Sequence, residues 1–271
     1  MVWVAVSYII GVIFHQPEWY RTPQKSVREA YSANTQRPLP VQAFKKEKFR
    51  WLGNGLVTLW FDDGWVSQYT NAYPLLKQYG YTGAFAITVS YVDGTGYMTW
   101  NQIRSLYMDG WEVTDHSRTH NCDVKHQTEQ QLESEIVGSL EDLKEKGFSV
   151  DHYVAPCGTY SDASLKLVRQ YYLSFRGAEL SDSGINPLPV PNPYALSAET
   201  VRSITPLDEV NNWIQSAKAN HSWLILMFHK VDNSGGLYSI PKDRLRKVLD
   251  MIKQADLTVV LPTQALQVQA L

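Results

Sequence analysis

The sequence predicts an α/β fold with a mostly parallel β-sheet. Short apolar runs rich in β-branched and aromatic residues alternate along the chain with longer segments in which apolar residues recur at helical spacing. Four of these strand-like runs end in polar or ionisable residues. In a parallel α/β barrel the carboxyl ends of the strands meet at one mouth, so these polar residues are expected to lie close together.

The predicted strands are short runs dominated by Val, Ile, Leu and aromatic residues. The run 56–61 (LVTLWF) is stopped by two aspartates and a glycine, and the run 223–228 (WLILMF) is apolar throughout and is followed by a histidine. In chain order the predicted strands are 56–61, 84–89, 111–114, 153–155, 223–228 and 257–261.

The predicted helices lie between these strands and carry recognisable end signals. Thr99 and Thr128 are suited to cap helix starts, and Gly80, Gly110 and Gly147 are suited to end helices. In chain order the predicted helices are 69–79, 99–108, 128–146, 162–171, 207–219 and 244–254.

Composition limits the classes of protein to which this chain can belong. A chain of 271 residues that is 44% hydrophobic can bury the core of one large domain or two small ones. The net charge of -2 excludes a generally basic nucleic-acid binder and a self-repelling acidic disordered chain. The 9 Trp and 16 Tyr suit an aromatic-rich core, with a sugar-stacking surface as the alternative.

Residues 1–50 differ in character from the rest. Residues 1–14 are uncharged and apolar, but this run is too short for a bilayer, which needs about 20 apolar residues, and it lacks a signal peptide's basic start. Its β-branched content predicts a strand, and a cropped anchor or signal remnant is the alternative. The proline-containing stretch 16–42 predicts a connector. We therefore expect an N-terminal strand and linker extension over 1–50 and one domain over 51–271.

The strongest chemical signal is a pair of histidines, His116 and His120, placed just after a predicted strand. They share one face if the segment is helical, or meet across a tight turn if it is not, and both arrangements suit a divalent metal. Asp62 and Asp63 offer a third ligand, because adjacent carboxylates repel each other unless a cation offsets the repulsion. Helix capping by one aspartate is the alternative. A His-His-Asp set with an open position is typical of a catalytic metal, which polarises a carbonyl and activates water.

Three motifs in this order resemble those of the polysaccharide deacetylases, carbohydrate esterase family four with the NodB-homology fold. Residues 58–64 (TLWFDDG) resemble the first motif, 116–120 (HSRTH) the second, and 226–229 (LMFH) the last. The resemblance covers roughly residues 49–266. It implies a distorted (β/α) barrel of about seven parallel strands.

The resemblance also implies a role for each motif residue. Asp63, His116 and His120 would hold a divalent metal, zinc first, with cobalt, nickel and manganese as alternatives. Asp62 would act as general base and His229 as general acid. Taken alone, His229 is better explained as a core histidine beneath a strand.

The third motif departs from the family pattern Arg-x-Pro-Tyr-Gly. Residues 153–158 read YVAPCG, so the arginine is missing and Cys157 replaces the tyrosine. The missing arginine resembles the poly-N-acetylglucosamine deacetylase-like subgroup, whose third motif reads apolar-Pro-aromatic-Gly. The backbone N–H of Cys157 would stabilise the oxyanion, and Pro156 and Gly158 would contact substrate. Arg202 is a candidate replacement for the arginine, with an ordinary surface arginine as the alternative. The fourth motif, with its Asp and Trp, is not recognisable.

Two further groups of residues are expected near the mouth. The two cysteines exclude a disulfide scaffold and a four-cysteine zinc site, and we predict a disulfide between Cys122 and Cys157, with a thiolate–metal bond as the alternative. Aromatic candidates for stacking on sugars are Trp65, Trp100, Tyr160, Trp213 and Tyr238, although each taken singly is better explained by packing in the core or at the rim. No Gly-x-Ser-x-Gly elbow occurs, and the glycine pair at 94–96 is too short for a phosphate loop.

Together these features predict metal-dependent removal of acetyl groups from an N- or O-acetylated polysaccharide, most simply a GlcNAc-type glycan. The alternatives are a catalytically impaired carbohydrate-binding module and an amidohydrolase for a small non-glycan substrate. We expect an acetylated glycan as partner, no nucleic acid, no membrane span, and attachment to a larger assembly through residues 1–50 as a further option. The resemblance implies an extracytoplasmic location.

Overall fold

The computed structural model describes residues 51–177 and 184–268. The predicted strand near the N-terminus and the predicted extension over residues 1–50 lie outside these ranges, so the division at residue 50 stays a prediction. Within the described ranges, no helix combines the length and the apolar character that a bilayer span requires.

Nine strands of the described part of the chain form one sheet, and two more form a separate pair. In chain order they are β1 (Leu56–Phe61), β2 (Ala84–Ile87), β3 (Glu112–Asp115), β4 (His152–Val154), β5 (Ser174–Arg176), β6 (Ile185–Asn186), β7 (Glu199–Thr200), β8 (Trp223–Phe228), β9 (Lys230–Val231), β10 (Ser239–Ile240) and β11 (Thr258–Val259). Seven follow the path β5-β4-β3-β2-β1-β8-β6, while β11 pairs with β1 and β7 with β8. Only β6 runs antiparallel to its neighbour in the sheet of the described residues. The predicted distorted barrel of parallel strands is confirmed.

Most helices of the described residues connect the strands, and the ends of several follow the predicted signals. In chain order they are α1 (Tyr73–Tyr79), α2 (Trp100–Met108), α3 (Glu129–Glu133), α4 (Ser139–Glu145), α5 (Asp162–Tyr171), α6 (Leu207–Ala219), α7 (Lys242–Ala255) and α8 (Pro262–Ala265). Thr99 and Thr128 both form capping boxes, and Gly80 ends α1 at a left-handed φ of 71°. A π-helical turn, Ser134–Gly138, joins α3 to α4, so the predicted helix 128–146 is one helical segment with a local bulge.

Five strands were not predicted, and all of them are short. They are β5, β6, β7, β9 and β10, each two or three residues long. Runs of this length are too short to show a two-residue periodicity, and their pairing depends on neighbouring strands rather than on local sequence. One of them, β5, proves to carry a residue of the functional site.

The two faces of β1 pack against two different hydrophobic cores. Val57, Leu59 and Phe61 belong to the larger core, which also contains the buried faces of the helices. Leu56 and Trp60 belong to a smaller core formed mainly by strand residues on the inner side. Because side chains alternate between the two faces of a strand, the alternation also decides on which face the side chains just after the strand lie.

Candidate metal centre and active site

Strand alternation carries the candidate catalytic side chains to the inner face of the barrel. In β1, Trp60 points inward, so Asp62 two residues later lies on the same side. In β8, Met227 points inward and leads in the same way to His229. Asp62 and His229 both line a cavity of about 670 Å³ at the carboxyl ends of these strands.

Asp63 and the two histidines meet in this cavity. The Oδ1 atom of Asp63 lies 3.4 Å from Nε2 of His116 and 3.4 Å from Nε2 of His120. The segment 116–120 is a turn rather than a helix, with left-handed φ values of 65° at Ser117 and 60° at His120. Asp63 also has a left-handed φ of 74°, which turns the chain out of β1. The structure therefore brings the three predicted ligands together, with the two histidines on one tight turn and Asp63 at the end of β1.

The donor set at this point suits a divalent cation. The Nδ1 atom of His116 lies 2.9 Å from the Val154 carbonyl; donation of its proton there directs the Nε2 lone pair toward Asp63. Among the described residues, nothing donates a hydrogen bond to Oδ1 of Asp63, although this atom is buried. Two acceptor atoms at 3.4 Å repel each other unless a cation lies between them. Imidazole nitrogens with one carboxylate oxygen are ligands that zinc and similar metals accept.

A buried network behind His116 holds the turn in place. Asp115 is fully buried and accepts hydrogen bonds from the Ser117 N–H at 2.8 Å, the Ser139 hydroxyl at 2.7 Å and the Tyr172 hydroxyl at 2.7 Å. Burial raises the pKa of Asp115 to about 7 despite these hydrogen bonds. This network holds in place the backbone from which His116 and His120 project. The local sequence contains no pattern that predicts the network.

An arginine from β5 holds Asp62. Nη2 of Arg176 lies 2.5 Å from Oδ1 and 2.7 Å from Oδ2 of Asp62, and both residues are buried. The guanidinium also lies over the Trp60 ring, 4.8 Å from its centroid, and its Nη1 donates to the Met227 sulfur. The carboxylate expected to act as base is thus fixed by a charge-assisted contact.

This arginine corrects the prediction about Arg202. Arg202 lines the same cavity and lies over the Tyr238 ring, 5.8 Å from its centroid, whereas Arg176 makes the contact with Asp62. Sequence reasoning missed Arg176 because its strand has only three residues. The available signal was a single charged residue ending the run Ser174–Arg176, directly after the predicted helix 162–171.

His229 lies deep in the cavity. Burial lowers its pKa below the ordinary value, although the charges of Asp62 and Asp63 oppose this effect. Its Nδ1 atom is buried and has no hydrogen-bond partner among the described residues. Its ring lies 4.7 Å from the Tyr238 ring. The carboxylate expected from the unrecognised fourth motif is therefore not found beside it within residues 51–177 and 184–268.

The predicted disulfide is present and borders the site. Cys122, two residues after His120, is bonded to Cys157 in the loop that follows β4. Cys157 has a left-handed φ of 55°, and its N–H is not used in a hydrogen bond within the described ranges. Cys157 lines the cavity.

Most of the predicted site residues line this cavity. They are Asp62, Asp63, Trp65, His116, His120, Cys157, Gly158, Arg202, His229 and the stacking candidate Tyr238. The others lie elsewhere: Pro156 is buried, Tyr160 packs edge-on against Phe175 at 5.4 Å, Trp100 stacks on Phe148, and Trp213 packs on the main core. Trp100 and Trp213 therefore lie outside the cavity lining formed by the described residues, in agreement with the packing alternative.

Comparison with known proteins agrees with this geometry. The family model described as polysaccharide deacetylase matches residues 52–175. YxkH of Bacillus subtilis (strain 168), which is named as a polysaccharide deacetylase, is 26% identical over 113 residues. That match covers 41% of this chain and only 39% of YxkH.

Solved structures share the fold at low sequence identity. The Xyl-CE4 domain of a multidomain xylanase from the hindgut metagenome of Trinervitermes trinervoides matches with a TM-score of 0.56 and 18% identity, covering 78% of this chain and 89% of that one. A family 4 acetyl xylan esterase from Clostridium thermocellum, solved with a cobalt ion, has a TM-score of 0.54 and 18% identity over the same shares. BA3943 of Bacillus anthracis, described as a CE4 family pseudoenzyme, has a TM-score of 0.55 and 14% identity, covering 79% of this chain and 66% of that one. The family match thus covers just under half of the chain, and residues 52–175 are similar to the polysaccharide deacetylases.

Proposed function

We propose that this protein hydrolyses acetyl groups from an acetylated polysaccharide with the help of a bound divalent metal. The observation that carries the proposal is the meeting of one buried carboxylate oxygen with two imidazole nitrogens, 3.4 Å from each, inside a cavity. We propose a GlcNAc-type glycan as substrate and zinc as the metal, with cobalt, nickel and manganese as alternatives. The acetyl xylan esterase solved with cobalt supports a metal of this class.

Asp63, His116 and His120 would hold the metal, which when bound polarises the acetyl carbonyl and acidifies water. Asp62 then accepts a proton from the water that adds to the carbonyl carbon. Arg176 keeps the Asp62 carboxylate oriented through its Nη2 contacts of 2.5 and 2.7 Å, so the base does not rotate away from the cavity. A base fixed in this way loses little conformational freedom when the reaction occurs.

The remaining steps use Cys157 and His229, which also line the cavity. The N–H of Cys157 would donate to the oxygen that becomes negative as water adds. His229 would donate a proton to the leaving amine nitrogen, or alcohol oxygen for an ester, as the bond to the acetyl carbon breaks. The products are acetate and the free amine or hydroxyl of the sugar.

The location and partners follow from the same proposal. The disulfide between Cys122 and Cys157 supports an extracytoplasmic location, because disulfides persist in oxidising compartments. The match to a domain of a multidomain xylanase supports a role for this barrel within a larger protein or assembly.

One observation favours the alternative of a catalytically impaired module. His229 has a lowered pKa and a buried Nδ1 without a partner among the described residues, so the charged form needed to donate a proton is disfavoured. The match to a pseudoenzyme shows that this fold occurs without activity. The ligand set and the Arg176–Asp62 contact support the active form.

Acetate release from acetylated oligosaccharides tests the proposal. We expect release that stops with a chelator and returns with zinc or cobalt, and we expect Asp62→Asn to lower kcat at least about a hundredfold through loss of the base. Metal content of both proteins is measured alongside, because Asp62→Asn should bind metal normally. Metal binding without acetate from any glycan would favour the impaired module, and chelator-sensitive hydrolysis of small amides alone would favour an amidohydrolase.

A further inference from the structure

We propose that Trp65 is a positioning residue for the metal ligand Asp63, restricting it to one oxygen. The inference rests on the proposed function, because it concerns how this chain prepares Asp63 for a metal. Sequence reasoning gave Trp65 a different role, as a ring for a sugar to stack on. The contacts of the ring point instead to the ligand carboxylate.

The two oxygens of Asp63 have separate partners. The indole N–H of Trp65 donates to Oδ2 at 2.9 Å, while Oδ1 alone faces the Nε2 atoms of His116 and His120. The Asp63 side chain is only 12% exposed, so water has little access to replace the indole donor. With Oδ2 committed to an N–H, the carboxylate presents one oxygen toward the histidines.

The indole is itself held on several sides. Its ring stacks on Tyr97 with centroids 4.2 Å apart, and the ammonium of Lys230 lies 4.0 Å from the ring centroid. The backbone of Trp65 forms a β-bridge with Tyr97, and the Val66 N–H donates to the Gly96 carbonyl at 2.9 Å. The segment around Gly96, too short for a phosphate loop, thus serves to pack Trp65 in place.

Lys230 strengthens the hydrogen bond from the Trp65 indole to Asp63. A cation over an indole face withdraws electron density from the ring, which makes the N–H a better donor. Lys230 directly follows the candidate acid His229, so both belong to the chain segment that leaves β8. Tyr97 and Lys230 both contact the indole ring, and its N–H edge faces Asp63. The ring is therefore engaged within the protein rather than left free to stack on a sugar.

The consequence for the metal is geometric. Without the indole N–H, Oδ2 loses a buried partner, and the carboxylate can rotate to offer the metal either oxygen or both. Partners that orient metal ligands typically change affinity about 10- to 100-fold when removed. A loss of this size in metal affinity, without loss of folding, is the signature expected of Trp65.

The test compares Trp65→Phe with wild-type protein in titrations with Co²⁺ and Zn²⁺. Phenylalanine keeps a ring to stack on Tyr97 but lacks the N–H, so we expect roughly tenfold weaker binding and a changed visible absorption spectrum of the Co²⁺ form. Trp65→Tyr, which also lacks a donor at the indole nitrogen, replaces it if Trp65→Phe does not fold. Binding within twofold of wild type and an identical cobalt spectrum would overturn the inference.

Trp100→Phe is the matched control. Trp100 also stacks on an aromatic ring, that of Phe148 at 6.1 Å, and also lies beneath a lysine, with Nζ of Lys146 5.1 Å from its centroid. It belongs to α2 and lies outside the cavity lining formed by the described residues, so we expect normal affinity and spectrum. Failure of wild type itself to bind metal would count against the proposed function, whereas equal binding by wild type and Trp65→Phe counts against the role of Trp65 alone.

Discussion

The barrel carries histidine–carboxylate clusters at both ends of its strands, and their hydrogen bonding differs. The site cluster follows the carboxyl ends of β1 and β3. The second cluster lies at the opposite end, where Glu112, His152 and Ser174 are the first residues of β3, β4 and β5. Here His152 bridges its neighbours, with Nδ1 2.8 Å from the Ser174 hydroxyl and Nε2 2.8 Å from Oε1 of Glu112. Glu112 also accepts hydrogen bonds from the hydroxyl and the N–H of Thr263.

The difference separates a structural cluster from a functional one. In the second cluster every contact joins a donor to an acceptor within the protein, and Ser174 and His152 are fully buried. A Ser-His-Glu arrangement there resembles a catalytic triad only in composition, because Ser174 and His152 are closed off from solvent by the described part of the chain. In the site cluster, Asp63 presents an acceptor to the His116 acceptor at 3.4 Å. The second cluster is satisfied without a ligand and stabilises the fold, whereas the site cluster has a donor set that suits a cation.

The largest effect is expected at Asp63. Asp63→Asn removes the negative oxygen and supplies an N–H donor for the histidine nitrogens, so metal affinity should fall by two orders of magnitude or more. At a pH high enough for His116 to be neutral, the free energy of unfolding without metal should stay the same or rise, because a repulsive contact is replaced by a hydrogen bond. Isothermal titration with zinc and denaturant unfolding in chelator measure the two quantities. A large loss of metal-free stability would show that Asp63 belongs with the structural cluster.

A smaller effect, confined to turnover, is expected at Arg176. Arg176→Lys keeps the charge but loses the planar set of donors that contacts Asp62 and the Met227 sulfur, so we expect kcat to fall about 10- to 100-fold. Metal affinity should stay within about twofold, since Arg176 does not contact Asp63 or the histidines. Steady-state kinetics and a zinc titration separate the two outcomes. Lost metal affinity with unchanged kcat would assign Arg176 to the metal centre instead.

Sequence alone predicted the parts of the site that follow long, strongly apolar strands. Asp62 and Asp63 follow β1 and His229 follows β8, and each of these strands has six buried residues. The histidine pair was predicted from spacing, although sequence left open whether a helix or a turn carries it. These residues were accessible because local pattern fixes both the strand and its end.

The remaining contacts depend on which strands become neighbours. Arg176 reaches Asp62 across 114 positions of sequence, from a strand of three residues. The Trp65 contact is local in sequence, yet its meaning depends on Tyr97 and Lys230 arriving at the same ring. Pairings of this kind are set by tertiary structure, and a single sequence carries no periodic signal for them.

The smallest effect, and a purely structural one, is expected at Glu112. Burial alone raises the pKa of Glu112, but the charge of His152 and hydrogen bonds from His152 and Thr263 outweigh it and lower the pKa below the ordinary 4.5. A carboxyl whose pKa is lowered by folding adds stability above the unfolded pKa and loses it as the pH falls through the folded pKa. Glu112→Gln should therefore cost about 1–3 kcal/mol of unfolding free energy at neutral pH.

The pH dependence of that cost distinguishes the two ends of the barrel. The difference between wild type and Glu112→Gln should be constant near neutral pH and should narrow below about pH 4.5, where Glu112 becomes protonated in the unfolded chain. Urea unfolding at a series of pH values measures it, and zinc affinity of Glu112→Gln should equal that of wild type. A difference in stability that does not change with pH would show that Glu112 acts through its hydrogen bonds rather than its charge. A loss of zinc affinity would show that the two clusters are coupled through β3 and would contradict their separation.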